Sequence, residues 1–518
     1  MKKLLFSIFT FSFMLMYTGC GDDFLDRRDQ TSVNSASFYQ TEDDAIASVN
    51  AVYAPLQNFS LWGRRIHFLL DFASDEVAST PNTQGAPFEL ILHTFGPQGN
   101  EHIDNPWNMF YRMIAKANIT LSEVPDMEID QTVKDEVIGQ ARFLRALGYF
   151  YINALWNGGP LKTEENANDL ATERATAEQI WSLVESDLND AIAKLPWSWE
   201  TTDAGRATKG AAKSLLGKAH LFQEEYAEAE AAFMDVINNG PYYLMGGEDD
   251  PAGAASTVEE AIQAMRTNHD FGVKNNGEAV FEVQFRSDAG GLSWDSGNSA
   301  GLAESTIRPH EYGVDGSSFY NAKPSPELLA AYEGNGGTAI GDRDPRFEAF
   351  FFTENDTIMQ GGTAVPYADK ISNVGYAFKK YQHSSDVSYS NDNNVNHDVI
   401  RYADVILMAA EAKIKTGSIS EGIALINQVR RRADPTGGIL QLRPENVSES
   451  QAMDFLISER RVELCSEQVR RLDLVRWGIA KDYIDNFQVN KHEYFPIPQT
   501  ELNANEALTQ ADQNPGYN

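Results

Sequence analysis

The densest chemistry in this chain is a run of charges near its C-terminal end: Glu459, Arg460, Arg461 and Glu463, then Arg471, Asp473 and Arg476 beside Trp477. Acids next to guanidinium groups could serve as a general acid with an anion clamp. Their signs alternate at spacings that place them on amphipathic helices, where opposite charges on packed faces pair with one another. The sequence therefore assigns them to structural ion pairing. Cleaving a glycosidic bond needs two carboxylates held a set distance apart, and among 75 acidic residues adjacent pairs such as Asp75-Glu76 arise by chance. Neither the zinc helix H-E-x-x-H nor the phosphate loop G-x-x-x-x-G-K-[ST] occurs. The nine histidines, His93 and His102 among them, show no metal-ligand spacing and read as surface or loop residues. Asp392, Asn393, Asn394, Asn396 and Asp398 offer oxygens to calcium, but without the EF-hand order and its closing glutamate they read as a solvated turn. No catalytic residue, metal or cofactor is expected.

The N-terminus says where such a chain would work. Lys2 and Lys3 precede an apolar run from Leu4 to Tyr17 that ends in Thr18, Gly19 and Cys20 and turns acidic at Asp22 and Asp23. The run falls short of the about 20 residues a spanning helix needs, and small residues before a cleavage point mark an export signal. Residues 1–19 therefore read as a leader. Thr18-Gly19-Cys20 resembles a bacterial lipobox, with Tyr17 departing from the usual leucine, and implies a lipid on Cys20; an ordinary cleaved signal is the alternative. Cys465 is the one other cysteine and reads as core. The formal charge of −33 repels polyanions, which excludes nucleic-acid binding.

The elements that would position a site follow from repeats. Leu216-Gly217, Ala229, Phe233 and Pro241 stand at tetratricopeptide offsets, with a helix through Ala212, Leu215, Ala219 and Phe222, a turn at Gln223-Glu224-Glu225, and a return helix through Tyr226, Phe233 and Ile237. Leu147-Gly148 and Tyr151 repeat that spacing in a helix from Val133 to Trp156. Asn157-Gly158-Gly159-Pro160 ends it, and its partner runs from Ala177 to Pro196. A third hairpin pairs Arg401 to Lys415 with Glu421 to Arg432. One hairpin cannot bury its apolar face alone, so stacked units are expected. The segment from 246 to 400, rich in Gly, Asn, Asp and aromatics, reads as long ordered loops with one clear alternating strand, Ala279 to Phe285, whose Glu282 and Gln284 would face outward.

Arg401-Tyr402-Ala403-Asp404, Ala410-Glu411-Ala412, Ile426-Asn427, Glu459-Arg460-Arg461, Arg471-Leu472-Asp473-Leu474, Pro496-Ile497-Pro498 and Gln513-Asn514-Pro515-Gly516-Tyr517 form an ordered series that resembles the SusD/RagB family. Ala141-Arg142-Phe143-Leu144-Arg145-Ala146 and Lys209-Gly210-Ala211-Ala212 extend the likeness across the chain. The resemblance implies a mainly α fold: about four tetratricopeptide-like hairpins and a large irregular loop-rich insertion with a few short strands. A single unit, 20–518, would comprise an N-terminal helical part (20–245), a ligand-facing insertion (246–400) and a C-terminal helical part (401–518). It further implies a non-enzymatic, lipid-anchored protein of the outer membrane facing the exterior. Such a protein would capture an oligosaccharide or polysaccharide for a SusC-like TonB-dependent transporter. A scaffold that never touches sugar, or capture of peptides, are the alternatives.

Sugar rings pack on flat aromatics while amides, acids and guanidinium groups reach their hydroxyls. Two segments have that composition. The first, Asn58 to Asp71, offers Trp62 and Arg64 with Arg65 and His67. The second, Trp294 to Tyr320, offers Trp294, Asp295, Asn298, Tyr312 and Tyr320 with Arg308 and Asp315. Trp62 and Trp294 either stack on a ligand or anchor their loops as core.

Overall fold

The computed structural model describes residues 38–270, 272–287, 304–314, 318–333, 343–360, 363–382 and 393–518. The leader, Cys20, Trp294, Asp295, Asn298 and Asp315 lie outside them. Eleven helices matter for the site: α1 (Glu42–Gln57), α2 (Glu101–Glu123), α3 (Gln131–Trp156), α4 (Ala177–Lys194), α5 (Lys209–Phe222), α6 (Tyr226–Asn239), α7 (Val258–Asn268), α8 (Tyr402–Lys415), α9 (Ile419–Ala433), α10 (Glu449–Glu463) and α11 (Arg470–Arg476). Among the described residues, no helix is long and apolar enough to cross a membrane.

Helices α1 to α6, then α8 and α9, each pack on the next, giving four stacked hairpins. Three are those expected from the repeat spacing. The remaining one pairs α1 with α2 across residues 58–100, a connection too long for hairpin spacing to reveal. Local signals set the helix ends: capping boxes at Thr41/Asp44, Thr176/Gln179 and Ser448/Gln451 satisfy amides that the first turn leaves open. The leucine-glycine signature has a steric cause. A Cβ on Gly217 would stand 2.7 Å from the Phe233 ring, and one on Gly148 would stand 3.0 Å from Ile114, so glycine lets the partner helix close in.

Among the described residues, eight short strands form four antiparallel pairs: β1 (Val77–Ser79), β2 (Ala279–Val283), β3 (Ala322–Pro324), β4 (Phe351–Phe352), β5 (Thr357–Gln360), β6 (Thr363–Pro366), β7 (Ala377–Phe378) and β8 (His397–Arg401), paired β1–β3, β2–β8, β4–β7 and β5–β6. Strand β2 is where alternation misled. Val280, Phe281, Glu282 and Val283 are all buried, because a register shift at Phe281 turns the strand and helix α3 covers it, Phe143 meeting Phe281 at 4.8 Å. Glu282 stays inside by accepting from Asn396 Nδ2 at 2.7 Å and Asn275 N at 3.0 Å.

The C-terminal charges pair, Arg471 excepted, which donates instead to Ala73 O at 3.1 Å and His492 O at 2.6 Å. Glu459 bridges Arg346 (2.6 Å) and Arg430 (2.7 Å), Glu463 holds Arg346, Arg401 and Arg432, Arg460 joins Asp404 and Asp473, and Arg476 joins Glu411. These clusters tie α8, α9 and α10 to the insertion through Arg346 and to β8 through Arg401. Two expectations fail here, because tertiary packing encloses polar side chains that sequence spacing alone would leave in solvent. His93 and His102 are core residues whose burial holds their imidazoles far below the usual range, His93 at about 3. Of the oxygen-rich set, Asp392 lies outside the described residues and Asn394 is partly buried, but Asn393, Asn396 and Asp398 are buried: Asn396 receives the Phe285 amide at 2.9 Å and Asp398 accepts from Tyr381 Oη at 2.9 Å. Cys465 is core, with burial pushing its thiol up to about 12.

Candidate ligand face

The described parts of the two candidate segments meet. Leaving α1, the chain makes a tight turn at Gly63, where a Cβ would lie 2.8 Å from Gln57 O, and Gly63 O accepts from Ile307 N (3.0 Å) and Thr306 Oγ1 (3.2 Å). Arg64 then pairs with Glu311, which also accepts from Asn321 Nδ2. Deeper in, Asp71 Oδ2 receives Tyr312 Oη at 2.8 Å and Gln468 Nε2 at 2.6 Å, joining both segments to the C-terminal part. Arg286 and Glu304 close the base of the second segment by a 2.6 Å backbone bond and a 3.0 Å ion pair.

Two sequence-chosen rings are corrected by this geometry. Trp62 is 1% exposed, edge-on to Phe110 and Tyr151 at 6.0 and 5.5 Å. Tyr312 is also 1% exposed, held between Phe72 and Phe378. Both faces of each ring are covered, so neither can stack on a ligand; they anchor the loops. Arg65, His67 and Arg308 are buried too, Arg308 lying 4.0 Å over the Tyr381 ring. Tyr320 is half-buried and its hydroxyl donates to Val374 O at 2.9 Å.

What reaches the surface is a neighbouring set. Asn82 Nδ2 donates to Phe319 O (2.8 Å), while the hydroxyls of Thr80 and Thr83 donate to Tyr320 O and Asn321 O, lacing the turn after β1 to the strand entry before β3. Phe319, 36% exposed, stands edge-on to His310 at 4.2 Å. Asn82 and Gln84 are exposed on that turn after β1, Phe88 (37%) sits on the short helix that follows it, and the Arg64 side chain retains 14% exposure. Sequence reasoning passed over Phe319, Asn82 and Phe88, although Asn82-Thr83-Gln84-Gly85 is a turn signal and Phe319 adjoins Tyr320.

Beneath the face, burial raises the Asp71 carboxyl and pushes Glu76 up to about 8, while His67 and His397 are driven far below the imidazole range by burial and then by Arg308. The acids nearest the face are thus either enclosed, as Asp71 and Glu76 are, or, like Glu311, committed to Arg64. Gly297-Asn298-Ser299-Ala300-Gly301, outside the described residues, has the spacing of a nucleophile elbow. That motif works at the head of an α/β-hydrolase sheet, and every strand pair described here is antiparallel. One trio, Glu185, His220 and Glu225, brings metal-ligating atoms within 4.8 Å of one another, but on the outer side of the scaffold hairpins.

A tetratricopeptide-like helical stack that carries an insertion-built polar and aromatic face defines a class of extended-scaffold binding proteins. Comparison with known proteins sets the family. The chain belongs to the SusD family: the profile described as "SusD family" matches residues 277–494, and one described as "Starch-binding associating with outer membrane" matches residues 23–221. A SusD-like protein of Formosa agariphila is 26% identical, with 99% of each chain covered. The starch-binding protein SusD of Bacteroides thetaiotaomicron is 25% identical over 78% of this chain and 76% of its own. A solved structure of a laminarin-binding SusD-like protein superposes with a TM-score of 0.74 at 28% identity, covering 92% of this chain and all of that one.

Proposed function

We propose that this chain is a glycan-binding lipoprotein of the bacterial outer-membrane surface, which captures oligosaccharides and passes them to a partner TonB-dependent transporter. The observation that carries the reading is the whole-chain correspondence with a laminarin-binding protein. The starch-binding relative and the outer-membrane description of the N-terminal match point the same way. The ligand contacts would come from Trp294, Asp295 and Asn298 together with Arg64, Phe319 and Asn82. Cys20 would carry the lipid. A shallow face gains little beyond the cost of ordering a flexible glycan, so affinity falls on the order of micromolar to millimolar.

Calorimetric titration with laminarihexaose and maltoheptaose tests this reading. Trp294→Ala and Phe319→Ala should each weaken binding about tenfold, the loss of one stacking platform, with the melting temperature unchanged. Equal affinity in both variants refutes the face. Binding of peptides but of no glycan would replace the ligand class. Cys20→Ala should release the protein from the membrane fraction, and retention there would refute the lipid anchor.

A further inference from the structure

A second aromatic cleft lies away from the loop face, where the ends of two scaffold hairpins meet strand β2. Its cavity is about 290 Å³, near the lower end of small-ligand sites. Trp197 and Trp199 come from the connection after α4, Tyr242 and Tyr243 from the connection after α6, and Asn275 from the approach to β2. All four rings are only partly buried. None of these segments contributes to the loop face.

The rings are fixed by their neighbours. Trp199 Nε1 donates to Ala207 O at 2.8 Å, and Tyr242 Oη shares a 2.8 Å hydrogen bond with Thr208 Oγ1. Glycines make room for both tyrosines: a Cβ on Gly210 would stand 2.4 Å from Tyr242 Oη, and one on Gly277 would stand 2.2 Å from Tyr243 Cζ. Tyr243 therefore rests on bare backbone, and its amide donates to Gly277 O at 3.0 Å. Rigid aromatics bind without the entropy cost of ordering a flexible side chain. At the lip, the exposed Asn275 amide exchanges two 3.0 Å hydrogen bonds with Gln284 and keeps its second amide hydrogen and second lone pair turned to solvent, a neutral donor and acceptor.

Charge narrows the ligand. Arg206, the cation of the lining, spends its guanidinium on Asp203 (2.7 Å), Asn50 (2.9 Å) and Gln140 (3.1 Å). The Glu282 carboxylate is committed to Asn396 and the Asn275 amide. With its cation paired to Asp203 and its carboxylate held by inward hydrogen bonds, the cleft offers a ligand rings and amides more than open charge, which suits one that carries none and presents both C–H faces and hydroxyls. We infer that the Trp197–Tyr243 cleft is a second, independent binding site for a neutral saccharide. Only the ligand class rests on the functional reading above; the location does not.

The test labels the tryptophan indoles with ¹⁵N, assigns the Trp197 and Trp199 signals through Trp197→Phe and Trp199→Phe, and titrates laminarihexaose, maltoheptaose and cellohexaose to about 10 mM, the weak end of the expected range. Signals of both residues should move with at least one sugar, and should still move in the Trp294→Ala/Phe319→Ala protein. Trp197→Ala should weaken this response about tenfold, with an unchanged melting temperature confirming the fold. Silence of both indoles towards all three sugars overturns the site, even if calorimetry shows binding elsewhere. A response abolished by the loop-face substitutions overturns its independence. A response in a protein whose loop face binds nothing upholds the cleft and refutes the face.

Discussion

Replacing Glu76 with glutamine should make the protein more stable in alkali and leave it almost unchanged in weak acid. Glu76 is buried, its Oε2 accepts the Ser466 amide at 3.0 Å, and its Oε1 has no hydrogen-bond partner among the described residues. Burial first, and Asp71 second, push its pKa from 4.5 to about 8. Because the folded value is the higher one, folding takes up a proton. The contribution is fully present below pH 4.5 and is lost as pH rises through about 8. At about 1.4 kcal/mol per pH unit, that interval corresponds to about 5 kcal/mol, shared in part with Asp71 because the two carboxyls interact. Glutamine keeps the acceptor for Ser466 and has no proton to lose. Urea unfolding should give wild type and Glu76→Gln within about 1 kcal/mol of each other at about pH 5, with the variant ahead by about 3–5 kcal/mol at about pH 9. Parallel stability profiles across that range would refute the claim that this carboxyl is enclosed in its neutral form.

Removing the centre of the C-terminal ion cluster is expected to be costly: Glu463→Ala strips one buried anion shared by Arg346, Arg401 and Arg432, leaving Glu278 to serve both Arg401 and Arg432, a loss of about 3–5 kcal/mol by denaturant unfolding, and a change below about 1 kcal/mol would contradict the network. Acid should weaken the fold through its buried imidazoles: His93, lowered from 6.5 to about 3, contributes stability that is fully present above pH 6.5 and is lost as pH falls from there towards about 3. His93→Asn, which tolerates the left-handed backbone there (φ 52°), should flatten the melting-temperature decline between about pH 6.5 and 5; an unaltered slope would show that another group sets it. Trp62→Ala should cost about 3–5 kcal/mol of stability, whereas a sugar-stacking role would appear as weakened binding with an unaltered melting temperature.

The scaffold was legible because its signals are local. Leu-Gly spacing, capping residues and helical period lie within a few tens of residues, and they located three hairpins to within a few positions. The α1–α2 hairpin escaped because residues 58–100 separate its halves, so tertiary packing alone reveals the pairing. The site was harder for a physical reason. Composition picks out segments, and it did find two that meet at Gly63 and Ile307. It cannot say which ring of a segment faces inward when a loop has no period. Trp62 and Phe319 illustrate the failure, since the larger ring became the core and a residue with less apparent chemistry reached the surface. Buried polar residues such as Glu282 and Asn396 misled for the same reason, because the two segments that enclose and pair them lie far apart in sequence.

The clasp between Arg286 and Glu304 has an evolutionary consequence. Where two ends are pinned side by side, the scaffold is indifferent to what is strung between them, and doubling such a loop adds only about 0.6 kcal/mol of closure cost. A lineage could therefore exchange this stretch as a cassette without redesigning the helices that carry it.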